Sequence, residues 1–176
     1  KTMTAAALVR DEEVRSSFDK ICWVSVGQEP DTTALQQTLY IQLCGKPLPE
    51  DSKDDERVAL AALKEAAKTQ MVLLVLDDIR SAAHTTPLNF VTDGSHERSH
   101  VIVTTRIKQL LAGSSEVQCE VLSVEASLEL LLRTGGCEHL LESPPPAALE
   151  AVELCGRLPL ALGIAGGVIL ELADVW

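Results

Sequence analysis

The 176-residue chain carries 26 acidic against 15 basic side chains, a net charge of −11, and a surface of that sign repels phosphate backbones, which argues against nucleic acid as a partner. Its length suits one α/β domain with a small companion, and no apolar stretch reaches the ~18 residues expected of a membrane-spanning helix. Five cysteines, Cys22, Cys44, Cys119, Cys137 and Cys155, show no C-x-x-C spacing; free thiols in apolar patterns behave as small hydrophobes and point to a reduced, cytoplasmic compartment.

From the N-terminus, Lys1-Thr2 precede Met3 to Val9, rich in Ala and Leu and suited to a helix, then a charged turn at Arg10-Asp11-Glu12-Glu13. Ile21 to Val26 is β-branched and closed by Gly27, a strand signal. Asp31-Thr32-Thr33 cap a helix whose Leu35, Leu39 and Leu43 recur at four-residue spacing, and Pro47 and Pro49 end it. A second helix is predicted from about Asp54 to Lys68, with Val58, Leu60, Ala62 and Leu63 on its apolar face. Met71 to Leu76 is an unbroken apolar run, the signature of a strand buried on both faces, and it ends in Asp77-Asp78.

A polar stretch from Arg80 to Ser99 predicts a loop with a short helix, and His100 to Arg106 a third strand with polar residues at its C-terminal end. Val117 to Leu122 predicts a fourth, weaker strand. Beyond it the pattern is helical: Glu125 to Arg133, stopped by Gly135-Gly136, then a stiff Pro144-Pro145-Pro146 connector, Ala147 to Cys155, and Pro159 to Leu172. Strands alternating with helices predict a doubly wound α/β part over residues 1–123, and the remainder a helical part over 124–176. The histidines show no metal-ligand spacing.

In open parallel sheets ligands sit at strand C-termini, where Asp77 and Asp78 emerge. An apolar strand that delivers carboxylates there is suited to holding Mg²⁺ against a nucleotide. Lys-Thr closes the phosphate-loop pattern G-x-x-x-x-G-K-[ST], with the ammonium on the β/γ-phosphates and the hydroxyl on Mg²⁺. Here those two letters open the chain without the glycines. A phosphoacceptor receiver built on Asp77, Asp78, Thr105 and Lys108 is the poorer reading, because its acidic pair belongs after the first strand and here roughly seventy residues precede it.

Five segments together resemble the NB-ARC nucleotide-binding module of STAND-type ATPases, shared by plant disease-resistance receptors and apoptotic protease-activating factors. Lys1-Thr2 matches the end of the Walker A loop, Phe18 to Val26 the F-D-x-x-x-W-V-x-V strand, and Leu73 to Ile79 the Walker B segment L-L-V-L-D-D-V. Val103-Thr104-Thr105-Arg106 is similar to the T-T-R sensor, and Cys155 to Leu162 to C-x-G-L-P-L-A-L with a small shift at the glycine.

The resemblance implies a P-loop NTPase-like parallel sheet whose first strand is missing, followed by a small helical subdomain. It implies an ADP/ATP switch with Mg²⁺, in a defence or signalling protein, in which slow hydrolysis resets the state. By position, Lys1 and Thr2 would bind the phosphates, Thr2 and Asp77 the metal, Asp78 would activate water, Arg106 would sense the γ-phosphate, and Leu158 and Pro159 would bind on the adenine side. It also implies further domains of a larger parent and a homo-oligomer in the active state. The chain is accordingly expected to be a fragment, weakly stable alone. A nucleotide-free interaction scaffold on the same fold is the alternative, and nucleotide content separates the two.

Overall fold

The computed structural model describes residues 1–52, 55–91 and 95–172. They fall into two compact units, Lys1–Glu116 and Val117–Trp176.

The first unit is built on a three-stranded parallel sheet in the order β1-β2-β3, with β1 Lys20–Ser25, β2 Val72–Ile79 and β3 His100–Thr105. The predicted apolar run forms central β2, buried along almost its whole length as both-face coverage requires. Helix α1, Thr2–Arg10, touches β2 and β3. The charged segment after it is a short helix α2, Glu12–Ser16, where a turn is predicted. Its cause is Asp11, whose carboxylate accepts the N–H groups of Glu13 and Val14 and so caps a new helix.

Helix α3, Thr32–Cys44, lies on β1, and α4, Glu56–Ala67, packs against α3. Asp31 caps α3 by accepting from Ala34 N–H, and Gly45, in the left-handed region at φ 69°, ends it before either proline is reached. The first predicted residue of the next helix, Asp54, lies outside the described residues; α4 starts from its cap Asp55. The buried face of α4 is Ala59, Leu63 and Ala67, one residue per turn, whereas Val58, predicted on that face, is exposed.

Two glutamines tie the layers together. Gln42 of α3 accepts the Trp23 N–H at 2.7 Å and donates to the Trp23 carbonyl at 2.9 Å, occupying the outer edge of β1 that would otherwise be open to another strand. Gln36, fully buried, donates to the carbonyls of Glu56 and Pro87. Between β2 and β3 the chain makes a 3₁₀ turn at Ala82–His84 and buries Leu88 and Phe90 completely. Gly94 of that predicted loop lies outside the described residues.

The second unit contains α5 Val124–Thr134, α6 Pro146–Leu154 and α7 Pro159–Leu172. The strand predicted over Val117 to Leu122 is not formed. An extended segment becomes a strand only where a neighbouring edge takes its backbone groups; here Val117 is 85% exposed and Leu122 donates its N–H to the carbonyl of Arg157. Ser123 caps α5, accepting from Ala126 N–H. A core of Leu128, Leu131, Leu132, Ala148, Val152 and Leu162 holds the three helices.

Candidate functional site

The ladder between β2 and β3 slips at the C-terminal end of β2. Leu76 pairs with Val103 and Ile79 with Thr105, so Asp77 and Asp78 together face the single residue Thr104. This β-bulge crowds two carboxylate-bearing residues into one place. Asp78 absorbs the extra length with φ 55°, in the left-handed region that Asp visits more readily than most residues because its short polar side chain bonds locally. Thr104, 7% exposed, serves both acids: its oxygen accepts the Asp78 N–H at 2.9 Å and its hydroxyl donates to Asp77 Oδ1 at 2.6 Å.

Asp77 is buried, and a buried carboxylate is costly unless its oxygens are satisfied. Thr2 Oγ1, from the first turn of α1, donates to Oδ1 at 2.8 Å, and Ser25 Oγ reaches Oδ2 from β1 at 3.4 Å. The parallel register places Ser25 directly beside Asp77, and Val26 N–H extends the ladder to the Asp77 carbonyl. Three hydroxyls from three elements thus converge on one carboxylate.

Lys1 is the exposed N-cap of α1, and its Nζ donates to the Thr105 carbonyl at 2.6 Å. The first-turn N–H groups of α1 and the positive end of its dipole stand at the same place. Arg106 follows β3 directly and is exposed. Asp78 is held by Arg80: Nε donates to Oδ1 at 3.0 Å and to Oδ2 at 3.1 Å, and Nη2 donates to Oδ2 at 2.9 Å. These bonds, with smaller help from the charges of Arg80, Arg106 and Lys1, hold the Asp78 carboxyl below the usual carboxylate range against the opposing effect of partial desolvation.

The donor set suits Mg²⁺. Thr2, with its hydrogen directed to Asp77, keeps oxygen lone pairs free, and a hydroxyl beside a carboxylate offers hard oxygen ligands. Mg²⁺ takes one or two such protein ligands and completes its shell with water and phosphate oxygens. Among the described residues no three His, Cys, Asp or Glu side chains cluster as a closed metal cage.

Lys1, Thr2, Asp77, Asp78 and Arg106 therefore stand together at the C-terminal end of the sheet. Leu158 and Pro159 belong to the second unit, where Gly156 at φ 59° and Arg157 at φ 55° turn the chain out of α6. Leu158 is exposed, and Pro159 is the first residue of α7, where its missing N–H leaves no bond unmade. Ser25, Thr104 and Arg80 were not singled out by the sequence. A shallow depression of about 420 Å³, lined by Glu13, Phe18, Arg98 and His100 among others, sits where β3 begins and contains none of these groups.

The family model of the NB-ARC domain matches residues 1–140. The chain is similar to the regulatory protein AfsR of Streptomyces griseus, at 37% identity over 63% of this chain and 11% of that protein. It is similar to the apoptotic protease-activating factor 1 of Danio rerio, at 28% identity over 100% of this chain and 14% of that protein. The disease resistance protein RPP13 of Arabidopsis thaliana matches at 26% identity over 96% of this chain and 21% of that protein. The chain thus spans between 11% and 21% of the length of these curated relatives.

Proposed function

Since this chain belongs to the NB-ARC family, a class of nucleotide-binding signalling modules, we propose that it is the ADP/ATP-dependent switch of a larger signalling or defence protein. The carrying observation is the 2.8 Å bond from Thr2 Oγ1 to Asp77 Oδ1, which joins the start of α1 to the end of β2 across 75 residues of sequence. Together these two groups would supply protein oxygens to an Mg²⁺ ion whose shell water and phosphate oxygens would complete.

In this reading Thr2 and Asp77 hold Mg²⁺, which neutralises the phosphate oxygens when bound. Lys1 exchanges its bond to the Thr105 carbonyl for the β/γ-phosphates. Arg106, exposed at the sheet end, contacts the γ-phosphate with a planar donor fork. A ligand shifts a two-state equilibrium only by its differential affinity for the two states, and a γ-phosphate contact that ATP makes and ADP lacks supplies that difference. Asp78 orients and deprotonates the attacking water, so that slow hydrolysis resets the switch. Leu158 and Pro159 contact the adenine. The parent works in the cytoplasm and self-associates when active. Among the described residues no helix is long and apolar enough to cross a membrane.

The test is the nucleotide released when the full-length protein is purified and denatured. Near-stoichiometric ADP, lost in Lys1→Ala, is expected; its absence from both proteins leaves only an interaction scaffold.

A further inference from the structure

Arg80 has no part in the nucleotide contacts above, yet it makes the most extensive side-chain interaction at the sheet end. It stands two residues beyond Asp78, and Ile79 between them is 1% exposed and anchors the segment. The fork spans both oxygens of Asp78 through three bonds of 2.9 to 3.1 Å. The backbone adds its own constraint, because Asp78 sits in the left-handed region and its N–H is bound to Thr104. Main chain and carboxylate of Asp78 are thus both fixed, and the carboxylate is fixed on a cation of this chain.

We propose that Arg80 is a positioning residue that restrains hydrolysis, keeping the Asp78 carboxylate on its guanidinium until the pair opens to admit water. This rests on the reading of Asp78 as the group that activates water. In the step it restrains, the water oxygen bonds to the γ-phosphorus, the bond from that phosphorus to the bridging oxygen of the leaving ADP breaks, and the water proton passes to Asp78 and then to solvent. The pair competes with the water for the same carboxylate. Both partners keep about two fifths of their side-chain surface open, at 41% and 38%, and a pair that exposed shifts an equilibrium by a factor of about five at most. The restraint is therefore a brake of that size.

The experiment is steady-state ATP turnover by the full-length protein with Mg²⁺, comparing wild type, Arg80→Ala, Arg80→Lys, Asp78→Asn and the Arg80→Ala/Asp78→Asn double variant, with retained nucleotide measured on each preparation. Arg80→Ala is expected to raise kcat about two- to five-fold with KM unchanged, Arg80→Lys to lie between it and wild type, and the double variant to turn over no faster than Asp78→Asn. A fall in kcat or a rise in KM on Arg80→Ala would overturn the proposal by making Arg80 a phosphate ligand. So would an increase that persists without the Asp78 carboxylate, or unchanged turnover in protein that holds nucleotide. Wild-type protein that holds no nucleotide removes the switch reading, and this inference with it.

Discussion

The two units bury apolar surface to different extents and by partly different means. The first packs large side chains on and around β2, among which Leu39, Leu63, Leu74, Leu76, Leu88 and Phe90 are fully buried. In the second, α7 is apolar along nearly its whole length, yet Leu162 and Gly166 are its buried residues, while Leu160 and Ile164 are 78% and 62% exposed. A glycine faces α5 because the two backbones come close: a Cβ at Gly166 would meet Thr134 Cβ at 2.6 Å and the Leu131 carbonyl oxygen at 2.9 Å. The first unit is held by volume, and the second adds the close approach of α5 and α7 to its smaller leucine core. Hydropathy alone therefore predicts the core of the first and misreads the last helix of the second.

The comparison breaks first at Phe90. Removing a fully buried aromatic ring loses its transfer energy and leaves a cavity, about 3–5 kcal/mol for Phe→Ala. Phe90→Ala is expected to strip amide-exchange protection from β1, β2 and β3 while leaving α5 and α7 as protected as before. Equal loss in both units would mean that the two cores do not melt independently.

Gly166→Ala asks the reverse question with one added methyl group. The obstructing atoms include backbone, which does not rotate away, so α5 and α7 must separate, at a cost of about 1–3 kcal/mol typical of overpacking. Protection is expected to fall in α5 and α7 and to persist in β2. Tolerance of the methyl group, read as unchanged exchange in α5, would show that the crossing is looser than its geometry.

The three strands were legible because their apolar runs are short, β-branched and flanked by turn residues, and because Asp31 caps α3 through side-chain chemistry that sequence displays directly. At the sheet end the acids were visible but their surroundings were not. Ser25 and Thr104 meet Asp77 through strand register and a one-residue bulge, and register is a property of pairs of strands that no single segment encodes. The T-T-R segment held the signal for Thr104, since its alternation sends neighbouring threonines to opposite faces. Arg80 lies on no periodic pattern that would tie it to Asp78. The missing strand at Val117 to Leu122 has the same origin, since its alternation is real and its partner edge is not. Val58 failed for another reason: the buried face of α4 runs at four-residue spacing through Ala59, Leu63 and Ala67, so Ala59 took the inner position.

The finest separation between the units comes from Leu160→Ser. Leucine at a helix position that reads as core would cost about 2–5 kcal/mol on truncation. Leu160, however, keeps most of its surface in water in the folded chain, and folding cannot reward burial that does not occur. The substitution also leaves the crossing at Gly166 untouched, since residue 160 lies in the first turn of α7 and Gly166 almost two turns further on. An exposed change of this kind is expected to move stability by no more than about 0.5 kcal/mol in either direction, with amide exchange in α7 unaltered. A loss approaching that of Gly166→Ala would mean that the outward-facing large side chains of α7 hold it as well as Leu162 and the crossing at Gly166.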